Sequence, residues 1–254
     1  MNANDLIKHW KEEEQKPFSG WDFAYLDGKM HIESPPWSYE SRAEELMRSC
    51  SSMLDIGTGG GELLLEMQAD WPEKVYAMEG YPPNVKLVAE QLERHGVKVF
   101  DVGGSTENLM PFEDGEFELV LNRHSGFHPG EVSRVLAPNG TYLTQQVHGL
   151  SSLDLMTFFD SEPPWPFATP EFYVPQLEAA GLTIRDLREW SGKMTFSDVR
   201  ALVYYLTAIP WTVQGFSVDT HGEYLICLQQ RVENGEELSF VARRYLIEAI
   251  KKPI

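Results

Sequence analysis

The sequence predicts an α/β fold, a doubly wound and mostly parallel sheet with helices on both faces. Three observations carry that prediction. Between residues 52 and 147, short apolar runs alternate with segments of helical spacing roughly ten residues long. A glycine-rich turn joins the first of these strands to the first helix, in Leu54–Glu62. The helix ends also carry their usual punctuation, with Pro83 near one start and Gly96 just past that helix's end.

The elements follow in order. Leu6, Ile7 and Trp10 share one face of a first helix that Asn4 or Asp5 caps. Glu12, Glu13 and Glu14 read as its solvated end. Phe18–Trp37 is a turn-rich aromatic segment, and Ser41 with Glu44 reads as a capping box opening a helix to about Ser49. Strands are expected at Met53–Ile56, Lys74–Met78, Lys98–Val102, Glu116–Leu121 and Thr141–Val147. Helices are expected between them at Glu62–Ala69, Pro83–His95 and Glu131–Leu136. The last third is less regular. Ser152–Phe159, Gln176–Ala180 and Glu223–Arg231 read as helices, and Ser197 is placed as the cap of a further helix ending near Ala208. Leu182–Trp190 and Leu238–Ile247 read as strands. No long polar linker interrupts the chain, so residues 1–254 are read as one domain, with 1–50 as an N-terminal cap.

Composition narrows the partners. The 254 residues hold 21 Lys and Arg against 39 Asp and Glu, a formal charge of −18, and such a field repels a polyanion. Arg243, Arg244, Lys251 and Lys252 form the obvious basic cluster and read as a balanced strand edge and tail. Cys50 and Cys227 have no CxxC partner, so neither a disulfide scaffold nor a zinc ribbon is indicated, and a reducing, cytoplasmic setting is expected. The first residues lack the apolar run of a signal peptide. The longest apolar stretches, such as Ala201–Ile209, are too short to span a bilayer.

The strongest chemical signal is the turn Asp55-Ile56-Gly57-Thr58-Gly59-Gly60-Gly61. Glycines there let the backbone turn tightly and approach a ligand. A dinucleotide pyrophosphate competes for such a turn. Asp55, two residues before the first glycine, opposes a pyrophosphate but suits a ligand carrying an ammonium and a sulfonium. Glu79, ending the next strand, is placed to accept ribose hydroxyls. The plainer reading is a tight strand-to-helix turn without a ligand.

With these residues in place the sequence resembles the class I, Rossmann-like S-adenosylmethionine-dependent methyltransferases. LDIGTGGGE resembles the first motif, ENLMPFEDGEFELVLNRH a central one, and EVSRVLAPNGTYLTQQV a third. The likeness covers roughly residues 50–148, and ELSFVARRYLIEAI resembles the final antiparallel strand more loosely. It implies a seven-stranded sheet with an antiparallel last strand and a cofactor-binding core at 51–148. Residues 149–254 would then hold substrate-side insertions and the last two strands. It further implies that Gly57, Thr58 and Gly59 line the methionine part of S-adenosylmethionine, with Asp55 orienting its ammonium. Glu79 would hold the ribose, and Gly80 and Tyr81 would lie beside the adenine. Asn122 and Arg123 would lie under the methionine part and the transferring methyl, and Trp37 (with Tyr39) in the segment that covers the cofactor. The family's acid after the third strand is absent. Ser105, Thr106 or Glu107 would take its contact with the adenine amine.

On the acceptor side, methyl transfer needs alignment and exclusion of water, and a base only when the acceptor keeps its proton. His124 is the catalytic candidate, as a base or an acceptor-binding group; its alternative is a bond to loop backbone. His128, before Pro129, reads as a helix-start residue. His124, His128 and His148 lack a carboxylate at a metal-ligand spacing, so no metal is expected. Gln145 and Gln146 point to opposite faces of their strand, so one of them can reach the site. Trp21, Trp37, Trp165 and Trp211 either anchor loops or wall an aromatic pocket. A small-molecule acceptor is the expected substrate. The rivals are an RNA-base or protein methyltransferase, a non-catalytic S-adenosylmethionine-binding protein and an NAD-dependent oxidoreductase. Oligomeric state is not defined by the sequence.

Overall fold

The computed structural model describes residues 2–18, 23–103 and 109–253; Trp21 lies outside them. The strands are β1 (Met30–Ile32), β2 (Ser52–Ile56), β3 (Lys74–Glu79), β4 (Lys98–Asp101), β5 (Phe117–Arg123), β6 (Leu136–Val147), β7 (Leu182–Phe196) and β8 (Leu238–Lys251). The helices are α1 (Ala3–Glu14), α2 (Tyr39–Met47), α3 (Glu62–Glu66), α4 (Pro82–Leu92), α5 (Pro129–Val135), α6 (Leu153–Phe158), α7 (Pro170–Ala179), α8 (Val199–Ala208) and α9 (Val218–Glu233). The chain groups into two compact units. One holds 1–35, 148–167 and 190–243; the other holds 36–147, 168–189 and 244–254.

The second unit is the Rossmann-like one. Its strand order is β7-β8-β6-β5-β2-β3-β4. β4, β3, β2, β5 and β6 run parallel, and β8 is antiparallel to β6, from Thr141↔Ile250 to Val147↔Arg244. The strands bury alternate residues on two faces. Leu54, Ile56, Val120, Tyr142 and Ile247 pack on one side with Val132 of α5 and Leu177 of α7. Met53, Leu119, Leu121, Leu143 and Leu246 pack on the other with Met47 of α2, Leu64 of α3 and Val88 of α4. This period-two division is what a sheet covered on both faces requires.

The expected doubly wound sheet is therefore present, with three corrections. An eighth strand, β1, pairs antiparallel with the far end of β7 in the first unit, Met30↔Phe196 to Ile32↔Met194. Its three residues alternate in exposure inside a turn-rich segment, so it has no sequence signal of its own. The basic cluster on β8 is not at a strand edge, because β8 lies between β7 and β6. The helix after the glycine turn is only five residues long and gives way to a 3₁₀ turn at Gln68–Asp70. There the Trp71 indole N–H donates to the Leu64 carbonyl at 3.0 Å.

Helix starts also moved. Asn2 and Ser38 cap α1 and α2, two to three residues before the expected caps, and Asp198 caps α8 one residue after the expected Ser197. α7 begins at Pro170 and runs through Pro175, six residues before the expected start at Gln176. Within this helix Tyr173 stacks on Phe127 with centroids 4.5 Å apart, and Leu177 is fully buried, so tertiary packing holds the helix through the proline.

The first unit has its own core around Trp10, Leu155, Leu202, Leu206, Leu225 and Leu228, drawn from α1, α6, α8 and α9. Glu13 was read as solvated but is buried, 1 % exposed. It accepts hydrogen bonds from Tyr25 Oη at 2.7 Å and Arg200 Nε at 2.9 Å, and pairs with Lys16 at 3.0 Å. Burial alone would raise its pKa; the bonds from Tyr25, Lys16 and Arg200 outweigh that and hold it below 4.5. The sign follows: the cluster stabilises the fold above the ordinary glutamate range and loses that contribution as pH falls through the lowered value. Arg200→Ala is expected to destabilise the protein by about 1 kcal/mol, since half of Arg200 is exposed and Tyr25 and Lys16 remain. Urea unfolding at pH 7 and at pH 4 checks this, the difference between variant and parent shrinking at the lower pH. Among the described residues, no helix is long and apolar enough to cross a membrane.

Candidate functional site

The carboxyl ends of β2, β3, β5 and β6 meet at one edge of the second unit. Their registers, Ile56↔Met78, Ile56↔Asn122 and Arg123↔Gln145, bring Asp55, Glu79, Asn122, Arg123 and Gln145 into the same row of strand ends. Parallel α/β sheets bind ligands at such an edge.

The glycine turn sits at the end of β2. Gly57, Gly59 and Gly61 have φ of +67°, +65° and +91°, conformations that side-chain-bearing residues rarely adopt. The Gly57 N–H donates to the Met78 carbonyl at 2.8 Å, which ties the turn to β3. Glu79 is buried at the end of β3 and is held by three backbone donors. Gly80 N and Tyr81 N bond Oε1, each at 2.8 Å, and Gly59 N bonds Oε2 at 2.7 Å. A carboxylate offers about four acceptor positions, so room remains for a further donor beside these three. Tyr81 is 54 % exposed beside it.

Asp55 faces the same turn. Burial raises its pKa from 3.8 to about 6, with a hydrogen bond involving Thr58 opposing the shift and the charge of Glu79 adding to it. Between these two pH values the folded chain takes up a proton, so its stability falls as pH rises through that window. A cationic ligand reverses the preference, because it favours ionised Asp55. Binding of S-adenosylhomocysteine, which keeps the ammonium, is therefore expected to tighten by up to about tenfold from pH 5 to pH 7. Calorimetric titration checks it, and Asp55→Asn is expected to flatten the profile.

Asn122, at the end of β5, is fully buried. Its Oδ1 accepts from Gln146 Nε2 at 2.6 Å, while its Nδ2 has no hydrogen-bond partner among the described residues. Gln146 Nε2 also lies 2.9 Å from the Ser125 carbonyl and 2.8 Å from Thr144 Oγ1. A buried donor without a partner is rare and marks a place for an acceptor group. Arg123 lies 3.5 Å from Glu40 on α2. Trp37 Nε1 donates to Gln145 Oε1 at 2.8 Å, and Gln145 Nε2 lies 3.4 Å from His124 Nε2.

His124 follows β5 with φ of +61° and donates its backbone N–H to the Gln145 carbonyl at 2.9 Å. The residue is exposed to solvent at its surface side, while neighbouring protein crowds the ring. Crowding by surrounding protein, then the charges of Arg244 and Arg123, lowers its pKa well below 6.5, so the ring is neutral at pH 7. His128 caps α5, with Nδ1 accepting from Glu131 N at 3.3 Å, as its place before Pro129 suggested. His148 Nδ1 accepts from Leu150 N at 3.0 Å.

Of the residues singled out in the sequence, Asp55, Gly57, Thr58, Gly59, Glu79, Gly80, Tyr81, Asn122, Arg123, His124 and Trp37 lie on this edge or on segments bonded to it. Ser105, Thr106 and Glu107 lie outside the described residues. Ser125, Thr144 and Glu40 had drawn no attention; ordinary polar residues in a loop, a strand and a helix carry no signal until the register places them. Trp165 and Trp211, 51 % and 36 % exposed, stand with ring centroids 6.2 Å apart in the first unit. Among the described residues, no group of three His, Cys, Asp or Glu side chains is arranged to hold a metal ion.

The donor set suits S-adenosylmethionine. Two carboxylates flank the turn with no ion-pair partner among the described residues, one pressed toward its neutral form by burial, and a buried amide donor stands open beside them. This strand order and site define a Rossmann-like methyltransferase fold. Residues 54–144 match the family described as a methyltransferase domain. Over those residues the chain carries an S-adenosylmethionine-dependent methyltransferase domain. Among solved structures it resembles the YcgJ protein of Bacillus subtilis, at 18 % identity and a TM-score of 0.59, covering 85 % of this chain and 99 % of that one. It also resembles a methyltransferase-like protein of Bacillus halodurans, at 19 % identity and 0.59, covering 84 % and 97 %. The [4+2]-cyclase SpnF shares the fold at 14 % identity and 0.51, covering 99 % and 93 %. No curated protein matches the sequence significantly.

Proposed function

We propose that this methyltransferase acts on a small-molecule acceptor, with the cofactor held along the edge from Asp55 to Arg123. The observation that carries the reading is the placement of Asp55 and Glu79 at the glycine turn, with the Gly59–Glu79 bond tying the turn to Glu79. Bound S-adenosylmethionine supplies an electrophilic sulfonium methyl. In this reading Asp55 orients the ammonium, Gly57, Thr58 and Gly59 follow the methionine part, and Glu79 holds the ribose. Gly80 and Tyr81 flank the adenine, and Asn122, Arg123 and Trp37 close around the methionine part. His124 faces the acceptor. The chain's part in the reaction is then to align the acceptor and keep water out.

The acid balance of −18 supports a small acceptor over RNA, since a polyanion would be repelled. The same fold in a [4+2]-cyclase means that the fold alone does not assign the reaction; the match at 54–144 and the carboxylate pair support methyl transfer. Methyl-labelled S-adenosylmethionine offered with a deproteinised metabolite extract, with total RNA and with total protein tests the choice. Label in the small-molecule fraction supports the reading, and label in RNA or protein overturns it.

A further inference from the structure

The hydrogen-bond inventory around Gln145 leaves one arrangement. The Trp37 indole N–H only donates, and it points at Gln145 from 2.8 Å, so the side-chain atom facing it is the acceptor Oε1. The other terminal atom of Gln145 is then the NH₂ group, which only donates. It faces His124 Nε2 at 3.4 Å. A neutral imidazole has one protonated nitrogen and one lone pair. Its Nε2 must therefore be the lone-pair nitrogen, and the proton sits on Nδ1. The main chain holds the ring in register, since His124 N bonds the carbonyl of the same Gln145, and the left-handed backbone at His124 sets the ring's direction.

We propose that Gln145 is a positioning residue, which Trp37 locks in one orientation and which fixes His124 as the Nδ1–H tautomer. His124 then presents a hydrogen-bond donor, with its Nε2 lone pair already engaged. It orients an oxygen or an anionic group of the acceptor and takes no proton from it. This deepens the reading of His124 as the acceptor-side residue and rests on that reading. It favours acceptors whose nucleophilic atom needs no base from the protein.

The test is a two-bond ¹H–¹⁵N correlation spectrum of the full-length protein labelled with ¹⁵N-histidine at pH 7.5. His124 is assigned as the ring whose signals vanish in His124→Gln. The parent protein is expected to show the Nδ1–H pattern for this ring. Gln145→Leu and Trp37→Phe are each expected to give a mixture of tautomers, the second by freeing the Gln145 amide to turn over. An Nε2–H or mixed pattern in the parent overturns the proposal, and so does an Nδ1–H pattern that survives unchanged in both variants. The parent spectrum decides even if Gln145→Leu does not fold. The underlying reading fails separately: label transfer from S-adenosylmethionine into the metabolite extract that is undiminished in His124→Gln removes His124 from the acceptor site, whatever its tautomer.

Discussion

Glu79→Ala is expected to weaken S-adenosylhomocysteine binding about 100-fold, the loss of about 3 kcal/mol that a charged hydrogen-bonding group carries. Two effects add. The variant removes the acceptor placed to meet the ribose hydroxyls. It also strips three backbone donors, on Gly59, Gly80 and Tyr81, of their partner. All three lie along the path proposed for the cofactor, so the turn loses its shape as well as its charge. Glu79→Gln separates the contributions. Its amide oxygen can still accept from one side, but its NH₂ group faces donors, and an intermediate loss of about tenfold is expected. Titration calorimetry on the two variants reads both numbers. Unchanged affinity in Glu79→Ala would remove Glu79 from the ribose and leave it as a tie for the glycine turn.

The contrast between Glu79 and Glu13 shows what a sequence can reveal. Glu79 was legible because its position is set by local order, at the end of the second strand after a glycine turn. Asp55 and the three positive-φ glycines were legible for the same reason. Glu13 stands in a run of three glutamates that reads as a solvated helix end, yet its partners are Tyr25, beyond the helix, and Arg200, 187 residues away. The short strand β1 failed to show for a similar reason, since its pattern makes sense only beside Met194–Phe196. The Rossmann-like sheet came through because its central strands β2, β5 and β6 read as short apolar runs and the intervening segments carry helical spacing. His124 and the two glutamines were visible as residue types at a strand end. What they bond to was not, because alternation says that Gln145 and Gln146 part ways but not which of them meets Trp37.

The turn itself gives the second large effect, this time on stability. A Cβ at Gly57 would overlap the Oγ and Cβ of Ser125, and the backbone there has φ of +67°. Gly57→Ala therefore carries two separable costs, about 1–2 kcal/mol for a side chain in the left-handed region and about 1–3 kcal/mol for the overlap. Ser125→Gly empties the space that the new methyl needs. In the double variant the overlap is relieved and only the backbone cost remains, so the two substitutions are expected to couple by at least 1 kcal/mol in a double-mutant cycle. Denaturant unfolding of the parent, the two single variants and the double variant measures this directly. Additive effects would mean that Gly57 and Ser125 are not packed against each other. The coupling bears on the site as well. Ser125 follows His124, and its carbonyl receives Gln146 Nε2, which also holds Asn122. A methyl at Gly57 that displaces Ser125 is thus transmitted to both the acceptor-side histidine and the buried amide. Gly57→Ala is accordingly expected to weaken cofactor binding even at temperatures where the variant is fully folded.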